Sequence, residues 1–130
     1  ICGAEVLCTD FSGEEHAVHE RLWAGHPLKA RVRYRIGNAL DCLEDGTWDL
    51  IFCDIDKLDY PRALALAVPR LRPGGMLLFD NSLWGGKVAR EPADGTTVAV
   101  QEFVRAILAD PRLFATVIPV GDGLAAAIRL

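Results

Sequence analysis

Long hydrophobic runs are missing from this chain of 130 residues. No apolar stretch approaches the ~20 residues that a bilayer-spanning helix requires, so no membrane partner is expected. A basic stripe is missing as well. Lys and Arg number 14 against 18 Asp and Glu, the formal net charge is -4, and the two signs are mixed along the chain. That balance argues against a nucleic-acid partner, which would need clustered cations along its backbone. Cysteine is sparse and unpatterned: Cys2, Cys8, Cys42 and Cys53 form no C-x-x-C pair. Cys8 and Cys53 fall within apolar runs, where a reduced cysteine behaves as a small hydrophobe. No disulfide framework is expected, and the setting reads as reducing and cytoplasmic. The first residues lack the charged-then-apolar pattern of a signal peptide. Repeats and low-complexity segments are also lacking. His16 and His19 can share a helix face but have no third ligand nearby in sequence, so they read as a solvated face.

What is present is the material of a globular core. Hydrophobic residues make up 51% of the chain and charged residues 25%, and the length suits a single domain over 1–130. Strand and helix patterns alternate. Residues 5–10 read as a strand with an acidic end. Ser12-Gly13-Glu14-Glu15 reads as a capping box, the Ser12 hydroxyl bonding the Glu15 amide and Glu15 reaching back. The helix that follows runs to about Trp23. Residues 31–36 alternate as a half-buried strand, and Gly37-Asn38 turns into a short helix ending near Leu43. A third strand covers 49–54. Asp59 caps the next helix, with Pro61 in its first turn and Ala63, Leu64, Leu66 and Ala67 along it. Pro69 and Pro73-Gly74-Gly75 close that helix and set up a fourth strand over 76–80. A loop over 81–96 contains Trp84-Gly85-Gly86. Val100, Phe103, Val104, Ile107 and Leu108 fall at helical spacing. Strands over 114–119 and 124–129 are joined by Gly121-Asp122-Gly123, a hairpin signal. The order β-α-β-α-β-α-β-α-β-β predicts an α/β fold, a doubly wound, mostly parallel sheet with an antiparallel last strand.

Two of the apolar runs end in acids. Asp49-Leu50-Ile51-Phe52-Cys53 leads to Asp54-Ile55-Asp56-Lys57, and Met76-Leu77-Leu78-Phe79 leads to Asp80-Asn81. In open α/β sheets, polar chemistry gathers beyond the carboxyl ends of the strands. Mg²⁺ takes oxygen ligands in near-octahedral geometry, keeps several waters, and draws only one or two carboxylates from protein. Asp54, Asp80 and Asn81 suit it, although each residue type also serves as a strand end, cap or turn former. Lys57 is one of three lysines in a chain with 11 arginines. A lysine whose pKa is lowered by burial or nearby cations can act as a general base. A metal beside it would acidify a hydroxyl as well. The alternative is a surface lysine paired with Asp56 or Asp59. Asp10, at the end of an early strand, is of the type that accepts hydrogen bonds from a ribose diol.

Four runs stand out together: Asp54-Ile55-Asp56-Lys57-Leu58-Asp59-Tyr60, Leu71-Arg72-Pro73-Gly74-Gly75, Asp80-Asn81-Ser82-Leu83-Trp84-Gly85-Gly86 and Pro119-Val120-Gly121-Asp122-Gly123-Leu124. In combination they resemble the cation-dependent O-methyltransferases, the S-adenosylmethionine enzymes related to catechol and caffeoyl-CoA O-methyltransferases. The resemblance covers nearly the whole chain in order. It implies that Asp54, Asp80 and Asn81 hold Mg²⁺ or a similar divalent cation, and that Lys57 takes the proton of a phenolic hydroxyl. It implies further that Asp10 binds the ribose of S-adenosyl-L-methionine, that Asn38 and Ala39 contact adenine, and that Asp56 lies near the amino-acid part of the cofactor. Tyr60 and Trp84 would line the pocket of a small aromatic hydroxyl acceptor. A homodimer is implied too.

The chain departs from the family pattern in places. Asn38 stands for the usual Asp, Ile55 for a small residue, and Asp59 where Asn is frequent. The family's glycine-rich cofactor loop, after its first strand and opening its first helix, should precede Ile1. That first strand is central in the family's sheet, between the strands ending at Asp10 and Asp54. The expectation is therefore a C-terminal portion of a longer methyltransferase, with the sheet split into two parts. Two other readings compete. Asp54-x-Asp56 after an apolar strand is similar to the haloacid-dehalogenase-like phosphatases, although Leu58 fits that motif poorly. A catalytically inactive, truncated methyltransferase-like interaction module is the other.

Overall fold

The computed structural model describes residues 3–43, 46–91 and 94–130; Cys2 lies outside them. The chain divides into two compact units, the first reaching to Cys42 and the second running from Leu43 to Leu130. The α/β class and the element order agree with the sequence reading.

In the first unit, β1 (Val6–Asp10) pairs in parallel with β2 (Val32–Ile36), from Val6 opposite Val32 to Asp10 opposite Ile36. Between them lies α1 (Gly13–Leu22). Its start is capped by Ser12, whose hydroxyl accepts from the Glu14 and Glu15 amides, each at 3.2 Å. The reciprocal half of the expected capping box is taken over by Asp10, whose Oδ1 accepts from the Ser12 amide at 2.7 Å. A carboxylate two residues upstream reaches that amide in a local turn. His16 and His19 are less solvated than expected. Their rings pack against Tyr34 with centroids 4.9 and 5.0 Å away. The short helix α2 (Ala39–Leu43) follows β2, with Leu40 and Cys42 buried.

The second unit holds a four-stranded sheet in the order β3-β4-β6-β5. The strands are β3 (Trp48–Cys53), β4 (Leu71–Phe79), β5 (Leu113–Ile118) and β6 (Leu124–Arg129). β3 and β4 are parallel, and β6 runs antiparallel to both β4 and β5. The expected reversed last strand is therefore present, and the strands form two sheets as expected.

One face of the four-stranded sheet is packed by α3 (Tyr60–Ala67) and α4 (Gly95–Ala109). Tyr60, Leu64, Leu77, Phe79, Val100, Phe103 and Ile107 are buried there. Tyr60, Phe79 and Phe103 form a triangle of rings with centroids 5.0, 5.1 and 4.4 Å apart. Each such pair adds about 0.5–1.5 kcal/mol beyond its buried area.

Two boundaries differ from the sequence reading. β4 begins at Leu71 rather than Met76, so Pro73-Gly74-Gly75 lies inside the strand. The pairing jumps from Trp48 opposite Leu71 to Leu50 opposite Met76. A bulge of this kind accommodates a proline that cannot donate to the ladder. A Cβ on Gly75 would stand 2.8 Å from the Arg72 carbonyl oxygen, so only glycine fits the close approach. The second difference is the cap before α3. Asp59 makes no side-chain cap hydrogen bond. Asp56 instead accepts from the Leu58 amide at 2.9 Å, opening a 3-10 turn over Lys57–Asp59 that runs directly into α3.

Candidate functional site

Parallel pairing brings the two acidic strand ends together. Cys53 lies opposite Phe79, and the Asp80 amide donates to the Cys53 carbonyl at 3.1 Å. Asp54 and Asp80 therefore follow directly from paired positions on adjacent strands. Asp80 Oδ1 accepts from the Asn81 amide at 2.7 Å. Asn81 sits in the left-handed region at φ 50°, which Asn tolerates better than most residues.

Lys57 joins this group from the 3-10 turn. Its Nζ donates to Asp54 Oδ1 at 2.7 Å and to the Ile55 carbonyl at 3.2 Å, and stands 4.9 Å from the centre of the Tyr60 ring. The lysine side chain is 11% exposed, against 53% for Asp54. The ion-pair partner is thus Asp54 rather than the Asp56 or Asp59 that a surface reading would choose.

Tyr60 departs from expectation. Its side chain is fully buried at 0% exposure, in the ring triangle, and its hydroxyl donates to the Asp80 carbonyl at 2.8 Å. A ring enclosed in this way supports the Asp80 backbone and does not face an acceptor. Burial raises the Tyr60 phenol pKa, with the charges of Cys53, Asp54 and Asp80 adding to the effect. Burial likewise pushes the Cys53 thiol from 9.0 up to about 12. Both groups stay protonated at neutral pH and supply packing and a hydrogen bond rather than a nucleophile.

The loop after Asn81 is tied to the β5–β6 turn. Ser82 is fully buried; its hydroxyl donates to the Phe79 carbonyl at 3.0 Å and accepts from the Ala125 amide at 3.1 Å. The Ser82 and Leu83 amides donate to the Gly123 and Asp122 carbonyls, each at 2.9 Å. Asp122 Oδ1 accepts from the Gly85 amide at 2.5 Å. Trp84 has φ 49°, and its ring lies 5.5 Å from Lys87 Nζ. On the far side, the Gln101 amide donates to the Val88 and Arg90 carbonyls at 3.2 and 2.8 Å. Sequence reasoning placed Ser82 and Asp122 in the runs of family resemblance, and Asp122 in the hairpin turn, without giving either a role, and passed over Gln101. The available signal was the recurrence of polar residues inside otherwise apolar or glycine-rich runs.

The residues expected to meet the cofactor divide between the units. Within the first, the Gly37 amide donates to the Asp10 carbonyl at 2.8 Å, which puts Asp10 beside the turn that carries Asn38 and Ala39. Asn38 Oδ1 accepts from the Leu40 amide at 2.9 Å. Asp56 belongs to the second unit, at the cap described above.

The donor set at the strand ends is all oxygen: two carboxylates and an amide. That chemistry fits a hard divalent cation. Among the described residues, no group of three or more His, Cys, Asp or Glu is placed to hold a metal ion. No helix among them is long and apolar enough to cross a membrane.

Residues 3–130 match the model of a family described as O-methyltransferase. A Mycobacterium avium protein named "Putative O-methyltransferase" is 40% identical over 97 residues, covering 73% of this chain and 43% of that protein. A solved structure from Klebsiella pneumoniae, similarly named, superposes with a TM-score of 0.86 at 29% identity, covering 99% of this chain and 63% of its own. The O-methyltransferase of Bacillus cereus in complex with SAH gives a TM-score of 0.86 at 28% identity, with 98% and 64% covered. The chain thus spans about half the length of such curated relatives and under two thirds of the solved ones.

Proposed function

Because this chain belongs to the O-methyltransferase family, we propose that it carries the metal-and-base part of a site for S-adenosylmethionine-dependent methyl transfer. The acceptor is a hydroxyl of a small catechol-like aromatic. The observation that supports this most is the meeting of Asp54, Asp80 and Asn81 at one sheet end, with Lys57 Nζ 2.7 Å from Asp54. Asp54, Asp80 and Asn81 would hold Mg²⁺ or a similar ion, which would supply Lewis acidity to a hydroxyl group.

The chain's own residues have these roles. Lys57, once its own ammonium proton has been released, would take the proton of the acceptor hydroxyl at Nζ. S-adenosylmethionine, when bound, would supply the methyl group to that oxygen and would leave as the thioether. Trp84 offers an aromatic face to the acceptor. Tyr60, being buried, holds the Asp80 backbone in place. Asp10 would accept from the ribose hydroxyls, Asn38 and Ala39 would meet adenine, and Asp56 would lie near the methionine part. The Bacillus cereus neighbour bound to SAH supports that cofactor assignment. Positioning two bound reactants supplies much of the expected acceleration. On the same reading the whole protein is a cytoplasmic homodimer acting on a small molecule. The phosphoryl-transfer alternative gains nothing from the family match.

The test uses the protein expressed from its full gene, with S-adenosylmethionine, Mg²⁺ and a panel of catechols. Methylation is expected to stop on addition of EDTA and return with excess Mg²⁺; methylation undiminished by chelation contradicts the metal role. Lys57→Ala is expected to lower kcat by about 10²–10⁴-fold, the usual weight of a general base, with cofactor affinity nearly unchanged. An equal loss of both would remove Lys57 from the role of base.

A further inference from the structure

We propose that Asp122 is a positioning residue for the metal site: from the β5–β6 turn its carboxylate holds the Gly85 amide and so fixes the loop that presents Asn81 and Trp84. The proposal rests on the metal-site reading above. Asp122 stands 41 residues beyond Asn81 in sequence, yet the turn grips this loop at three points between Ser82 and Gly85. The Gly123 carbonyl accepts from Ser82, the Asp122 carbonyl from Leu83, and the Asp122 carboxylate from Gly85. The first two bonds are backbone to backbone and need no particular side chain at position 122. The third needs an oxygen on a short side chain at position 122.

Two features show why that bond matters. Asn81 and Trp84 are the only non-glycine residues with positive φ among the described residues, and Gly85 and Gly86 continue in the left-handed region at φ 59° and 75°. Side chains seldom adopt this conformation, and it persists where surrounding bonds over-determine it. Gly123 is the second feature. A Cβ there would stand 2.7 Å from the Leu83 nitrogen and would also run into the Leu83 side chain, so the turn and the loop lie backbone against backbone. The Asp122 carboxylate adds a charge-assisted bond at the far end of that contact, just past Trp84. Buried Ser82 joins the near end to the Phe79 carbonyl, immediately before Asp80. The strand end that carries Asp80 and the loop that carries Asn81 are thereby held to one turn. Supporting residues of this kind orient ligands they do not replace, and their loss typically weakens metal binding or activity by about 10–100-fold.

The experiment compares wild type, Asp122→Ala and Asp122→Asn in the full-gene protein, each checked for folding by circular dichroism. Two readouts are taken: exchange of the Gly85 amide by NMR, and affinity for Mn²⁺ alone by calorimetry. Asp122→Ala is expected to speed exchange at Gly85, leave Leu77 protected, and weaken Mn²⁺ by about 10–100-fold. Asp122→Asn keeps an acceptor oxygen and is expected to recover most of both. In turnover, kcat should fall while KM for the methyl donor holds. A purely structural hairpin role would lower the melting temperature and leave Mn²⁺ affinity alone, and that result overturns the proposal. Unchanged exchange at Gly85 overturns it as well. Wild type that binds no Mn²⁺ refutes the metal reading instead, and Gly85 exchange then decides the clamp. Should Asp122→Ala not fold, Asp122→Leu fills similar space with no acceptor oxygen and the same readouts decide.

Discussion

The hydroxyl of the fully buried Tyr60 ends on the carbonyl oxygen of half-buried Asp80. Tyr60→Phe keeps the ring in its triangle and removes only that donor. It is expected to destabilise the second unit by about 0.5–1.5 kcal/mol, the net worth of a typical hydrogen bond. Urea unfolding of the purified variant measures this; an unchanged midpoint would show that the carbonyl has another partner. Tyr60 also shows what the sequence did and did not disclose about the site. Asp54, Asp80 and Asn81 were legible because acids stand out at the ends of apolar runs. The inward orientation of Tyr60 was legible too, but in a different pattern. Tyr60, Ala63, Leu64 and Ala67, all buried, fall at the i, i+3, i+4, i+7 spacing of a helix's core stripe,. Motif position suggested a pocket wall, and periodicity pointed to the core. The Asp122 to Gly85 bond had no such signature, since it joins residues 37 apart through a turn geometry that spacing does not encode.

Among the helices, α4 depends most visibly on one cap. Asp94 Oδ1 accepts from the Thr97 amide at 2.7 Å, satisfying one of the free donors at the helix start,. That bond holds the Asp94 carboxyl below its ordinary 3.8. The folded form therefore binds a proton less readily than the unfolded chain, and the cap's stabilisation is fully present above the ordinary carboxylate value. It is lost as pH falls through the lowered folded value. Asp94→Ala is expected to lower the melting temperature at neutral pH, and the gap from wild type should close as acid protonates the carboxylate. A gap that persists in acid would mean the residue acts through packing rather than charge. The element boundaries show where local pattern stops being informative. The helix over 95–109 and the hairpin strands emerged from periodicity because apolar spacing is decided locally. The early start of β4 at Leu71 was hidden, because Pro73-Gly74-Gly75 has the composition of a turn. Its strand character comes from the neighbouring β3, which pairs on both sides of the bulge. The Asp56 cap was hidden for a similar reason: Asp56 and Asp59 are equally good caps on paper, and only the 3-10 turn between them selects the first.

At the scale of the whole chain, the two units differ in how much core each owns. Nearly every fully buried large side chain lies in the second unit, where Tyr60, Leu71, Leu77, Phe79, Val100, Phe103 and Ile107 close around one sheet face. In the first unit the helix α1 buries no residue completely, and the sheet has two strands. Two-stranded pairings are marginal in water unless a third strand or a substantial apolar face supports them. Regions with few buried apolar contacts open at lower free energy than the global transition. The amides of β1 and β2 should therefore exchange much faster than those of β4 and β6, which are paired on both sides within the four-stranded sheet. Native-state hydrogen exchange of this 130-residue chain, read by mass spectrometry at peptide level, tests that ordering. Equal protection of peptides from β1 and β4 would contradict it and would mean that the first unit draws stability from more than its own contacts. The order also bears on methyl transfer. Asp10, Asn38 and Ala39, the proposed cofactor contacts, belong to the unit expected to open first, whereas Asp54, Lys57, Asp80 and Asn81 stand on the more protected one. Cofactor binding that involves the first unit should then slow exchange in β1 and β2 in proportion to ligand occupancy, because a ligand stabilises whichever state it binds. In β4, already closed, the change should be small.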